Sequence, residues 1–392
     1  MLTGQFATQS TLVSYLKEFK DKLFADITEV PAILQSTHYP SLDGLRGIAI
    51  LMVIIYHFGA NHFFRPYYFL FSGELGVNIF FVISGFLITT LLLKEKLKYG
   101  SVSLKRFYAR RALRIVPVAY LFLLVMIVLN SIYKLGLSGS NFAASFLFYK
   151  NMPYQSDFYT GHFWSLAAEV QFYLIAPVLL VSNTNRYAIA AIFIVIAITL
   201  VSVLGFYCPD IMHSNPAIRY MTKGCMYFFW NGPFIVLIGS LLAIFLFKGI
   251  IGIEKTNRSF LLSFLLLIIV LAINNRLSLL YYKYVSEFIA AILTAWIILL
   301  NLRTKNLLSV ILESRVLVKI GVISYSLYIW QQLFIGSRSF LPWVKPFNDY
   351  PQGLFIVIKL ISVFIIASMS YYLFEVKFLK IKSRYETPSS KL

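Results

Sequence analysis

Two residues in the run LRGIAILMVIIYHF carry the first hint of chemistry. Arg46 and His57 lie eleven positions apart in a stretch that is otherwise almost wholly apolar. At about 100° and 1.5 Å per residue, that separation is three turns plus roughly 20°, with a rise of ~16 Å. On a helix the two side chains face the same way, Arg46 at the inner end and His57 towards the outer side. An imidazole placed there could accept and release a proton near neutral pH. The same spacing also suits a structural histidine bonded to a neighbouring helix. Glu169, in FWSLAAEVQFY, follows His162 by seven residues and is expected roughly level with His57, where it would orient the imidazole and stabilise its charged form. The competing reading is a buried ion pair with an Arg or Lys of another helix. Ser165 and Gln171 flank it and would bind a ligand or knit helices together. The segment FYARRALRIVP brings Arg110, Arg111 and Arg114 to the entrance of a further apolar run. Guanidinium groups grip phosphates through paired hydrogen bonds, so this cluster points to a phosphorylated ligand on that side, although ordinary basic loading beside a membrane explains most of the charge.

The elements that must position these residues follow from composition. The chain has 392 residues, 59% hydrophobic and 13% charged, where a soluble protein carries about a quarter charged. That excludes a disordered chain and an ordinary soluble enzyme, and predicts an all-α polytopic bundle of spans roughly 20 residues long. Ten candidate spans lie near 45–60, 74–93, 114–131, 163–181, 187–205, 226–247, 259–273, 280–300, 318–337 and 354–374. With the N-terminus placed inside, 25 of the 35 Lys and Arg fall on the inner side and nine on the outer, with Lys359 in the last span. This asymmetry fits both termini in the cytoplasm, and it makes the net charge of +19 a matter of topology, with no nucleic-acid partner expected.

Residues 1–38 form a cytoplasmic segment in which Leu12, Leu16, Phe19, Leu23, Ile27 and Val30 recur at helical spacing among charged residues. They predict an amphipathic helix that lies on lipid or packs on the bundle. Residues 39–376 form the transmembrane domain and 377–392 a basic cytoplasmic tail. The first 36 residues do not read as a cleavable signal peptide. Cys208 and Cys225 share an outer loop, and their pairing is left open. No phosphate-loop, zincin or nucleophile-elbow motif is present, and no spacing supports a metal site.

Six segments, in order, resemble membrane acyltransferase family 3. YPSLDGLRGIAILMVIIYH is similar to the family's opening motif, with its Arg–ten residues–His spacing at Arg46 and His57. GVNIFFVISGFLIT resembles the second-helix motif, with Ser84, Gly85 and Phe86; RFYARRALRIVP resembles the basic loop, with Arg-x-x-Arg at Arg111 and Arg114. GHFWSLAAEVQFYLIAPVL is similar to the Trp-Ser-Leu…Glu segment, and ISYSLYIWQQ and SYYLFE resemble the last two spans. The likeness runs from about residue 39 to 376. Two departures stand out: Asn78 occupies a position that is commonly acidic, and Trp330-Gln331 replaces a common Trp-His.

The resemblance implies transfer of an acyl group, most often acetyl, from cytoplasmic acyl-CoA to a hydroxyl of an extracytoplasmic glycan or lipid-linked saccharide, in a bacterial inner membrane. Arg46, Arg111 and Arg114 would hold the CoA phosphates, and His57 would act as general base or join a relayed transfer. Glu169 would orient or charge-balance His57, while Ser84, Asn78, Ser165, Gln171 and Gln331 would line the substrate path. No bound cofactor is expected, acyl-CoA being a substrate. No fused extracytoplasmic domain is expected either, since the chain stops soon after the tenth span. The competing class is a transporter or flippase of a glycan precursor or small anion, suggested by the interruption Asn231-Gly232-Pro233 in the sixth span.

Overall fold

The computed structural model describes residues 9–59, 72–152, 157–207, 215–220, 233–251, 261–274, 283–303, 305–335, 346 and 351–385. Cys208, Cys225, Asn231 and Gly232 lie outside the described residues. A first helix, α1 (Gln9–Phe24), precedes α2 (Pro40–His57), α3 (Gly73–Tyr99), α4 (Leu104–Tyr133), the short α5 (Gly139–Phe146), α6 (Phe163–Ser182) and α7 (Thr184–Tyr207). Then come α8 (Pro233–Phe247), α9 (Leu262–Asn274) and α10 (Lys283–Arg303). Three short helices follow, α11 (Leu307–Leu312), α12 (Arg315–Val322) and α13 (Ser324–Trp330). The described chain closes with α14 (Gln352–Met369), a π-helical turn at Ser370–Glu375 and α15 (Val376–Lys382).

Among the described residues there is no strand. Seven helical stretches are long and apolar enough to cross a membrane, and Phe234–Phe247 and Leu262–Ile273 are shorter apolar helices. The protein is an all-α polytopic bundle, as hydropathy predicts. Helices are favoured because lipid offers no partner for a free backbone N–H or C=O. On α4, Val118, Phe122 and Met126 turn inward at four-residue spacing, while Leu124, Val128 and Ile132 face outward.

Three boundaries differ from expectation, each for a local reason. α4 begins at Leu104, not near 114, so Arg106, Arg110, Arg111 and Arg114 ride on a helix and not in a loop. Gly100 ends α3 in the left-handed conformation (φ 70°), and the Ser103 hydroxyl caps α4 by accepting the Arg106 N–H. The cations find partners there: Arg110 Nη2 donates to Glu95 Oε2 at 3.0 Å and Nη1 to the Tyr385 carbonyl at 2.9 Å. The ninth run is broken between α12 and α13 and tightens to a 3-10 turn at Gln331–Phe334. The amphipathic N-terminal helix stops at Phe24, leaving Ile27 and Val30 beyond it. Its last turns dock through buried Leu23 and an edge-on contact of Phe19 with Phe245, and Lys248 Nζ holds the Ala25 carbonyl at 2.6 Å.

Glycines bring the site-bearing helices into backbone contact. A Cβ on Gly85 would lie 1.9 Å from the Val236 carbonyl oxygen, and one on Gly239 would lie 2.0 Å from that of Val82. α3 and α8 therefore cross without side chains between them, as small residues permit in membranes. Thr89, Ser240 and Tyr187 bond beside the crossing, at 2.6 and 2.9 Å. Gly44 and Gly47 press α2 against the Leu312 and Leu317 carbonyls, which turns the intervening Arg46 to the opposite face. We expect Gly85→Val to destabilise the detergent-solubilised protein by about 1–3 kcal/mol, read as a lowered melting temperature; an unchanged melt would show that the α3–α8 contact can separate freely.

Candidate active site

A cavity of about 390 Å³ enters the bundle from the end where α3 turns into α4, within the ~300–1,000 Å³ typical of small-molecule sites. Tyr39, Lys94 and Lys382 stand at its mouth. Lys94 Nζ donates to the Ser36 carbonyl at 2.8 Å, and the Tyr39 hydroxyl to the Leu34 carbonyl at 3.0 Å. Burial pushes the Tyr39 phenol up to about 12, so it stays neutral and a donor. His38 bonds Asp43 at 2.8 Å, and Asp43 in turn reaches Arg46 at 3.9 Å.

Midway along, Arg46, Arg111 and Arg114 line the wall together with Ser84 and Glu169. Glu169 accepts hydrogen bonds from Ser84 Oγ at 2.5 Å and from the Tyr173 hydroxyl. Its charge acts on both Arg46 and Arg111. The Arg111 guanidinium lies over the Phe107 and Tyr173 rings at 5.7 Å each. A second carboxylate, Glu375, takes a 2.7 Å bond from Ser326 Oγ and interacts with Arg114 and Arg46. The structure thus places Glu169 among arginines, the alternative that the sequence leaves open beside a place level with His57. Helix geometry explains why. Seven residues carry Glu169 about 10 Å down α6 from His162, most of the way from the imidazole end of the site to the arginines.

Ser165 and Tyr328 close the inner end of the cavity. Their hydroxyl oxygens lie 2.5 Å apart and each lies 3.1 Å from the His162 carbonyl oxygen, so one hydroxyl donates to the other and the second donates to the carbonyl. Behind them His162 is buried between Phe122, Phe163 and Tyr328, near enough to His57 for the two imidazoles to interact electrostatically. His57 Nδ1 meets Oε1 of the fully buried Gln331 across a long 3.4 Å contact. Hence His57 and Gln331 form one group, and Arg46, Arg111, Arg114, Ser84 and Glu169 another, with Ser165 at the boundary. Asn78 is buried on α3 away from the cavity lining. Gln171 is likewise absent from the lining; it exchanges 2.9 Å amide bonds with Asn151 and holds the Phe148 carbonyl at 3.1 Å.

Those bonds belong to a cover over the far end. Lys150 pairs with Asp157, which also accepts from the Thr160 N–H at 2.6 Å and the Thr160 hydroxyl at 2.5 Å. Burial alone would raise the Asp157 carboxyl; the bonds from Lys150 and Thr160 outweigh it and hold the group below its usual value. The cover fixes the approach to His162 and so the start of α6.

Sequence reading passed over His162, Tyr173, Tyr328 and Glu375 as site residues. Glu375 had a usable signal, an acid at the end of an apolar run that becomes a π-helical turn, a feature frequent at functional sites. The tyrosines had none, being three of 26 once Tyr325, which also lines the cavity, is counted.

Residues 39–373 match the family model described as an acyltransferase domain. The chain is 29% identical over 338 residues to the O-acetyltransferase OatA of Staphylococcus aureus strain NCTC 8325, covering 80% of this chain and 53% of that protein. It is 33% identical over 370 residues to a protein named "Putative O-acetyltransferase" from Staphylococcus aureus strain COL, covering 88% and 58%. The chain therefore spans just over half the length of these relatives. No solved structure matches it. With the matched region spanning most of the described bundle, the chain belongs to acyltransferase family 3 and is an integral, multi-pass membrane protein.

Proposed function

We propose that the protein moves an acetyl group from acetyl-CoA, bound at the basic end of the bundle, to a hydroxyl of a glycan or lipid-linked saccharide at the far end. On this reading both termini and the cavity mouth face the cytoplasm of a bacterial cell, and His57 faces the extracytoplasmic side of the plasma membrane. One observation carries it: five cationic side chains but only two carboxylates line the cavity. That positive excess in a low-dielectric wall calls for an anionic ligand. The names of the relatives, O-acetyltransferases, supply the acyl group and the oxygen acceptor.

Arg111 and Arg114 hold the phosphates of CoA, Arg46 assists from α2, and the pantetheine arm extends past Ser84 towards Ser165. His57 takes the proton of the acceptor hydroxyl. If its Nδ1–H donates to Gln331, Nε2 is left as the free base. Glu169 balances the arginines through its own fixed bonds to Ser84 and Tyr173. Asn78 and Gln171 support this path from the packing around it.

Sealed inverted vesicles given [14C]acetyl-CoA should build base-labile label in the envelope glycan fraction, and right-side-out vesicles should not. Replacing Arg111 and Arg114 together with Gln should raise KM for acetyl-CoA by about 10–100-fold per lost charge-assisted bond, with kcat largely kept. Identical incorporation across acetyl-CoA concentrations would remove the arginines from donor binding.

A further inference from the structure

Three buried nitrogen-bearing side chains at the far end of the site have polar atoms with no hydrogen-bond partner among the described residues. Both ring nitrogens of His162 are unmet, with the Ile329 backbone nearby but outside hydrogen-bond geometry. The Trp330 Nε1–H and the Gln331 Nε2–H are unmet as well. These side chains are 5%, 6% and 0% exposed. A buried donor left unpaired is costly, and three together need a reason. Two of them neighbour His57: Gln331 bonds it through its other amide atom, and His162 is near enough to interact with it, while His162 and Trp330 both abut Phe122, at 5.2 and 5.6 Å. Ser165 and Tyr328, which end the donor cavity, lie within bonding distance of the His162 carbonyl. His162 therefore adjoins both the closed end of the cavity and His57.

We propose that His162, as a neutral imidazole N–H, and the Gln331 Nε2–H form the oxyanion site of the transfer. The proposal rests on the acyltransferase reading above. The acceptor oxygen attacks the thioester carbonyl carbon while His57 takes its proton. The C=O electron pair moves onto oxygen, where the two N–H groups hold it. The pair then returns, the C–S bond breaks, and the CoA sulfur leaves with the proton from His57. Such donors act on charge that develops only as the reaction proceeds, so their loss lowers kcat and leaves donor affinity alone. Gln331 then has two tasks on two atoms, Oε1 towards His57 and Nε2 towards the substrate.

The test uses full-length protein in vesicles, with [14C]acetyl-CoA and base-labile glycan label as the probe. His162→Phe keeps the ring packing and removes both nitrogens; His162→Gln restores an N–H donor. We expect His162→Phe to lose about 10²–10³-fold in kcat, His162→Gln to recover to within about tenfold of the parent, and KM for acetyl-CoA to stay unchanged in both. Full activity of His162→Phe overturns the proposal. So does equal loss in both variants, which would mark a proton carrier instead of a donor. Should His162→Phe fail to accumulate, Gln331→Glu decides, because it keeps an oxygen acceptor for His57 and removes the Nε2–H: a fall in kcat at constant KM supports the site, and a parental rate refutes it. If the parent itself shows no acetyl-CoA-dependent label while still binding acetyl-CoA, the acyltransferase reading fails and this inference goes with it.

Discussion

His57→Ala should accumulate in the membrane at the parental level, bind acetyl-CoA as the parent does, and lose about 10²–10⁴-fold in the proposed acetyl transfer. The magnitude is that of a lost general base. Normal accumulation follows from the contacts: His57 is the last residue of α2, only partly buried, and its one side-chain hydrogen bond among the described residues is the 3.4 Å contact to Gln331. Normal donor binding follows from position, because His57 is not among the residues lining the cavity. The arginine variants should behave in the opposite sense, with KM rising and kcat kept. One measurement of initial rate against acetyl-CoA concentration separates the two, and a His57→Ala enzyme with parental kcat would take the imidazole out of the reaction.

Much of this arrangement is legible in the amino-acid sequence, and what is not has physical causes. Apolar runs report the spans because lipid imposes one backbone solution, and the alignment of Arg46 with His57 follows from the pitch of a helix. Charge misleads at α4. A run holding Arg106, Arg110, Arg111 and Arg114 reads as a watery loop, yet a serine cap, Glu95 and two aromatic rings let it be helix. The same holds at the C-terminal end, where the basic residues expected as a tail continue as α15 through Lys382 and pack along α4. Hydropathy is blind to the break between α12 and α13, since Gly321, Val322, Ile323 and Ser324 are compatible with one continuous span. The sequence leaves two partners open for Glu169, an imidazole or a cation, because depth along one helix does not fix depth along another that starts at a different level; the arginines of α2 and α4 are what it meets. His162 had a position but no reason; only its unmet nitrogens in the packed structure distinguish it from any buried histidine.

Glu169 should prove the residue whose loss most damages the fold of the site. It answers two cations, Arg46 and Arg111, from inside the bundle, and Arg46 and Arg114 already repel each other. No ion pair within 4 Å joins Glu169 to Arg46 or Arg111 among the described residues, so its loss is felt through longer-range charge and the Ser84 and Tyr173 bonds, at about 1–3 kcal/mol. Glu169→Ala should therefore melt well below the parent in detergent. Glu169→Gln should fall between the two, since it keeps an acceptor for Ser84 and Tyr173 and loses only the charge. The decisive variant is double. Arg111→Met combined with Glu169→Gln removes a cation with the anion and should recover much of the lost stability, as apolar replacement of opposite buried charges often does. It should not recover donor binding, because the guanidinium proposed to hold phosphate is gone. If Glu169→Ala melts with the parent, the arginines are neutralised by something other than this carboxylate, and the proposed division between an arginine group that binds and an imidazole group that reacts loses its electrostatic basis.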